Sequence, residues 1–173
     1  GRGQFTDAAR LFTSSLAAFS GMGASYRFHR ATCDYAVVQQ WSAVDDAGTV
    51  QAVMDAVASC EEGDFSVPPV LRFWEIWGRA NAPSQRAEQF HRLLKESTHQ
   101  LNKPVSILCH LGLLEACPPH DMTTRDFHLG RIHALLVQYT QPDRNIAVIA
   151  EWVADRLFNH QNTALNWRAL RVL

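Results

Sequence analysis

Pro68-Pro69-Val70-Leu71-Arg72-Phe73-Trp74-Glu75-Ile76-Trp77 is the stretch whose reading decides the fold. Its apolar residues cover well over half of a helical circumference, and only Arg72, Glu75 and Arg79 form a polar strip. A helix that is apolar nearly all round is a buried one. Proline suits its first turn, where the missing N–H had no helical partner. A second such segment follows Asn102-Lys103-Pro104: Val105, Ile107, Leu108, Leu111, Leu113 and Leu114 again point in every direction. The segments at about 68–81 and 104–116 are therefore expected to be buried centrally, with amphipathic helices around them.

Working outward, those helices are legible as stripes between caps and breakers. Ala8, Ala9, Phe12, Leu16 and Phe19 line one face over 6–20, and Gly21-Met22-Gly23 ends it. Residues 25–43 read as helix despite a poor period, with Tyr35–Trp41 as a short strand the alternative. Val50, Val53, Met54 and Val57 mark a helix over 49–60 with Thr49 as N-cap. Its glutamates Glu61 and Glu62 oppose the helix dipole, so that end is expected to fray. Ser84 is read as the cap of a helix over 85–101. Thr123-Thr124-Arg125-Asp126 resembles a capping box opening a helix over 124–140. Asp143 and Thr163 then introduce helices over 144–159 and from 164 to the end. The expectation is an all-α fold, a single compact bundle or orthogonal array of eight or nine short helices spanning residues 1–173.

Composition agrees with this. Hydrophobic residues make up 47% of the 173 and charged residues 19%, which suits a packed core and excludes a disordered chain. The net charge of −1 provides no global field toward nucleic acid or an anionic membrane. No run of about 18 apolar residues occurs, so no membrane span is expected. The first residues, Gly1-Arg2-Gly3-Gln4, include neither an initiator Met nor an apolar leader. The chain is accordingly read as a domain excised or processed from a longer one, and as intracellular. Cys33, Cys60, Cys109 and Cys117 are widely spaced and read as reduced thiols, mostly buried.

Few residues suggest chemistry. Cys117-x2-His120, near His128 and His133, is the nearest approach to a zinc site. It has no second short-spaced pair, and residues five apart do not share a helix face, so no metal is expected. Cys109-His110 are helical neighbours about 100° apart and cannot act as nucleophile and base on each other. No phosphate-loop, dinucleotide, serine-hydrolase or zincin motif occurs, so neither catalysis nor a cofactor is expected.

Three readings of function remain. The first is a non-catalytic helical interaction domain mediating self-association or partner-protein binding. Its contacts would be Trp152, Trp167, Arg168, Leu170 and Leu173, because Trp beside Arg at a helix edge suits an interface hot spot. The second is a helical small-molecule sensing domain with His91, His110 and His128 as polar groups in a pocket among the helices that carry them. The third is a nucleic-acid-packaging or coat-like subunit using Arg72, Arg79, Arg86, Arg92, Lys95 and Lys103, although Glu75, Glu88 and Glu96 interrupt that strip.

Overall fold

The computed structural model describes residues 2–22, 25–42, 47–79, 82–138, 149, 150, 152 and 153, and of residues 2–6, 25 and 42 the backbone alone. These residues form seven α-helices and no strand: α1 (Arg2–Gly21), α2 (Ser25–Ser42), α3 (Ala47–Glu62), α4 (Pro69–Gly78), α5 (Pro83–His99), α6 (Lys103–Ala116) and α7 (Met122–Val137). The segment with the poor period is helix α2; the strand alternative is not seen. Ile149, Ala150, Trp152 and Val153 have helical backbone. The remainder of the helix expected at 144–159, and the whole of the one expected from 164, lie outside the described residues.

The chain divides into two compact units, Gly1–Ala80 and Asn81–Leu173. In the first unit α1 packs on α2, α2 on α3, and α4 against both α2 and α3. The inner row of α3 is Val53, Ala56, Val57 and Cys60, spaced three and four apart. Helix α4 contributes Leu71, Phe73, Trp74 and Ile76. Edge-to-face rings tie the unit together: Trp74 meets Trp41 at 4.9 Å and Phe73 at 5.0 Å. Glu75, read from the sequence as part of an outer polar strip, is buried. Helix α4 is also shorter than expected, because Arg79 turns into extended backbone with ψ 131°.

In the second unit α6 lies between α5 and α7. All ten residues from Val105 to Leu114 are buried, as an all-round apolar helix requires. Helix α5 presents Phe90, Leu93 and Ser97, again at three- and four-residue spacing. At Gly112 the Phe90 ring of α5 leaves no room for a side chain on α6: a methyl group there would sit 2.5 Å from that ring, which is itself fully buried. Gly112→Ala is therefore expected to lower stability by about 1–3 kcal/mol, despite the better helix propensity of alanine. Urea denaturation measures this, and an unchanged midpoint would mean that the Phe90 ring has room to retreat.

The helix ends differ from the sequence reading in an instructive way. Ser84 and Thr49 lie inside the first turns of their helices. Pro83 takes the first position of α5, where its fixed φ is already helical, so the cap falls on Ala82. Helix α7 is capped by Asp121, whose carboxylate accepts from the Thr124 N–H at 3.1 Å, and the Thr123–Asp126 box is not used. That bond holds the Asp121 carboxyl below the usual carboxylate range. Asn102 caps α6 through the Val105 N–H at 3.3 Å. Two helices close on left-handed residues that are not glycine, Asp64 with φ 54° and Leu101 with φ 55°. In each case the next N–H bonds back five residues at 2.8 Å, Phe65 to Cys60 and Asn102 to Ser97, the bond that closes a Schellman motif. The α3 end expected to fray is thus closed, and Arg72 holds Glu61 at 2.6 Å.

Candidate functional site

The three histidines singled out from the sequence meet in the second unit. Helix α5 carries His91, α6 carries His110 and α7 carries His128. His110 and His128 are buried, and their Nδ1 atoms are 3.0 Å apart. One Nδ1 must therefore be protonated and donate, and the other must accept, so the rings hold opposite tautomers. His91 is exposed, its ring centroid 6.4 Å from that of His128. Phe127, itself exposed, lies with its ring 5.2 Å from His128 and 6.3 Å from His110. The group therefore runs from solvent at His91 to the interior at His110.

Burial sets the charge state. Removal from water is the main force pushing the His110 imidazole down to about 4, and the nearby positive groups of His128, Arg131 and His91 add to it. His128 is lowered for the same first reason, then by His91. At neutral pH the pair is uncharged and presents imidazole nitrogens, which can bind a proton or a small polar ligand. Among the described residues no group of three or more His, Cys, Asp or Glu side chains is placed to hold a metal ion.

The other candidates are not brought together in this way. The Cys117 Sγ faces the backbone oxygens of Pro118 at 3.7 Å and Asp121 at 3.8 Å, while His120 and His133 are exposed. The Cys117 thiol is raised by burial and then by Asp121, against the opposing pull of Arg125. Cys109 is fully buried, which pushes its thiol far up, and its neighbour His110 is engaged by His128.

Three residues of the basic strip hold carboxylates. Arg72 bonds Glu75 at 2.7 Å and Glu61 at 2.6 Å, and Arg79 bonds the other oxygen of Glu75. Arg92 lies 3.4 Å from Glu88. Lys103 is half-buried and also has an interaction partner, Arg86 is half-buried, and Lys95 is exposed. Arg72 and Arg79 belong to the first unit, and the other four to the second.

The proposed contact residues divide. Trp152, placed by the sequence at the edge of its helix's apolar stripe, is buried. Its ring therefore offers little surface to a partner. Trp167, Arg168, Leu170 and Leu173 lie outside the described residues. Exposed apolar side chains occur in both units: Leu101, Met122, Phe127 and Val137 in the second, and Leu11, Met22 and Tyr26, on α1 and about the start of α2, in the first. No described side chain of α1 is buried; Phe12, Leu16 and Phe19 are half-covered. Leu11, Met22 and Tyr26 are about two-thirds exposed, at 65%, 66% and 66%.

One cluster escaped the sequence reading. Between α2 and α3, His29 Nδ1 lies 2.8 Å from Ser59 Oγ, and Cys33 Sγ lies 3.1 Å from Cys60 Sγ. His29 and Cys33 are one helical turn apart, as are Ala56 and Cys60 on the facing helix. No pattern within either helix signals these contacts, because they depend on how α2 and α3 face each other.

Fold and sites define an all-helical protein of two units, with a buried imidazole pair in one and a half-covered aromatic face on the other. No protein-family model, curated protein sequence or solved structure matches the chain. Among the described residues no helix is long and apolar enough to cross a membrane.

Proposed function

We propose that the chain is a non-catalytic helical interaction module that self-associates through the α1–α2 face of its first unit. The observation that supports this reading is the exposure of Leu11, Met22 and Tyr26 beside an α1 stripe none of whose described side chains is fully buried. Stripes of this composition on a monomer are normally buried, and a run of exposed apolar groups beside one marks a contact surface. A second copy is the occupant favoured by charge. The net charge of −1 gives copies little mutual repulsion, and Asp7 and Arg10, the charges of α1 whose side chains are described, pair with each other at 3.6 Å. Trp167, Arg168, Leu170 and Leu173, on the helix expected from 164, are proposed as a separate contact region.

Light scattering over a concentration series tests it. The wild-type chain is expected to run as a dimer, and Leu11→Glu as a monomer with the same helical circular dichroism, since Leu11 is exposed and its replacement costs the protomer fold little. A monomer at every concentration up to hundreds of micromolar would sink the proposal.

A second reading, a helical small-molecule sensing domain, draws support from the meeting of His91, His110 and His128. Its test is a thermal-shift screen of small carboxylic acids and phenols at pH 7.5. A rise lost in His128→Ala supports sensing, and a flat response counts against it. A nucleic-acid-packaging role has less behind it, because Arg72 and Arg79 already hold carboxylates.

A further inference from the structure

We propose that Cys33 and Cys60 are a redox-modification site, at which a small peroxide closes an intramolecular disulfide that fastens α2 to α3. The two sulfurs are 3.1 Å apart, about 1 Å beyond the length of an S–S bond. The approach is built into the helices. Helix α2 packs on α3, and Ala36 and Ala56, small residues one turn from the cysteines, are buried as well. Each cysteine is 2% exposed, so the pair is shielded from bulky reagents. The other two cysteines have no such partner: Cys109 is buried in the other unit, and the Cys117 sulfur faces backbone oxygens there.

The chemistry balances with hydrogen peroxide as the oxidant. One thiol gives up its proton, and its sulfur attacks a peroxide oxygen. The S–O bond forms, the O–O bond breaks, and hydroxide leaves with that proton as water. The second thiol then attacks the sulfenic sulfur. The S–S bond forms, the S–O bond breaks, and a second water departs. Two thiols are oxidised and one peroxide is reduced to two waters. Burial is the main force holding the Cys33 thiol up at about 12, followed by its hydrogen bond to Cys60. Thiolate is therefore scarce at neutral pH, and the reaction speeds up as pH rises. The burial that slows entry also keeps the sulfenic acid from further oxidation, because the resolving thiol is already in contact.

The test uses the intact native chain, reduced, freed of reductant and treated with hydrogen peroxide at pH 8. After denaturation in an alkylating agent, alkylated cysteines are expected to fall from four to two per chain, with the bridged form about 2 Da lighter before alkylation. Cys33 and Cys60 share the tryptic peptide 31–72, which contains no internal Lys or Arg. A second cut after its acidic residues should therefore leave two fragments joined until a phosphine reductant separates them. The bridge closes a loop between positions 27 apart, so the melting temperature should rise by about 5–15 °C. Cys117→Ser is expected to behave as the wild type, and Cys60→Ala to lose the bridge while keeping its helical circular dichroism. Four alkylated cysteines after treatment, sulfinic acid at Cys33 or Cys60, or a bridged chain that melts no higher than the reduced one would each overturn the proposal.

Discussion

At pH 4.5 the chain is expected to be about 2–3 kcal/mol less stable than at pH 7.5 on account of His110 alone. The folded chain holds this imidazole at about 4, below its ordinary 6.5. The unfolded chain therefore takes up a proton that the folded one refuses. Stability is complete above about pH 6.5, falls as pH drops toward 4, and levels off below the folded value. The physical cause is burial first, since charging the ring inside α6 forfeits its hydration. Next come the positive fields of His128, Arg131 and His91, which make a second charge costlier still. Carboxylates elsewhere also respond to acid, so the measurement is a difference: urea denaturation of the wild type and of His110→Gln, each at pH 4.5, 5.5, 6.5 and 7.5. The variant keeps a polar group beside His128 but has no proton to gain. The wild-type curve should fall more steeply between pH 6.5 and 4.5. Parallel curves would show that the buried pair does not govern the acid response.

The helical class was legible because it rests on the repetition of apolar residues every three to four positions. Val53, Ala56, Val57 and Cys60 on α3, and Phe90, Leu93 and Ser97 on α5, are such rows, and both face inward. Helix ends were less legible because several residues compete for one cap. Asp121 and Thr123 both could have opened α7. The chain uses Asp121, which stands three residues before the Thr124 N–H that its carboxylate reaches. The division after Ala80 left no mark on composition, since Ala80-Asn81-Ala82-Pro83 carries no charge run and no Gly- or Ser-rich stretch.

Site residues were visible only where one helix declares them. His91, His110 and His128 stand out because each interrupts or borders an apolar row, and a polar ring in such a place needs a partner. That the partners were each other depends on the relative rotation of three helices, which no single-helix pattern encodes. The Cys33–Cys60 contact shows the same limit more sharply. Each cysteine reads as an ordinary small core residue, and what sets the pair apart is one distance between helices. The exposure of α1 was hidden for the opposite reason. A clean stripe implies a partner face, but it does not say that α2 leaves the stripe short of full burial.

Removal of the Glu75 carboxylate is expected to be costly: Glu75→Ala should lower stability by about 2–4 kcal/mol, and Glu75→Gln by roughly half as much. A helical wheel puts residues 72, 75 and 79 on one polar strip and invites the view that all three face water. Glu75 is instead buried, with one oxygen 2.7 Å from Arg72 and the other bonded to Arg79. Two charge-assisted bonds hold an anion that has left water. Deleting it forfeits both and leaves a gap in a close-packed wall beside Phe73 and Trp74. The loss stays below that of a stranded buried charge, because both arginine side chains are at least a third exposed and Arg72 retains Glu61. Salt should change the difference little, since the carboxylate is shielded from mobile ions. Chemical denaturation at low and at high sodium chloride measures both points. A loss below about 0.5 kcal/mol in Glu75→Ala would show that the two bonds only offset the cost of burying the carboxylate. The same variant bears on function: it frees Arg79 and loosens Arg72, so any salt-dependent affinity for RNA should be stronger in it than in the wild type. Equal or stronger binding by the wild type would mean that the guanidiniums already face outward enough to contact phosphate, and would restore the packaging reading.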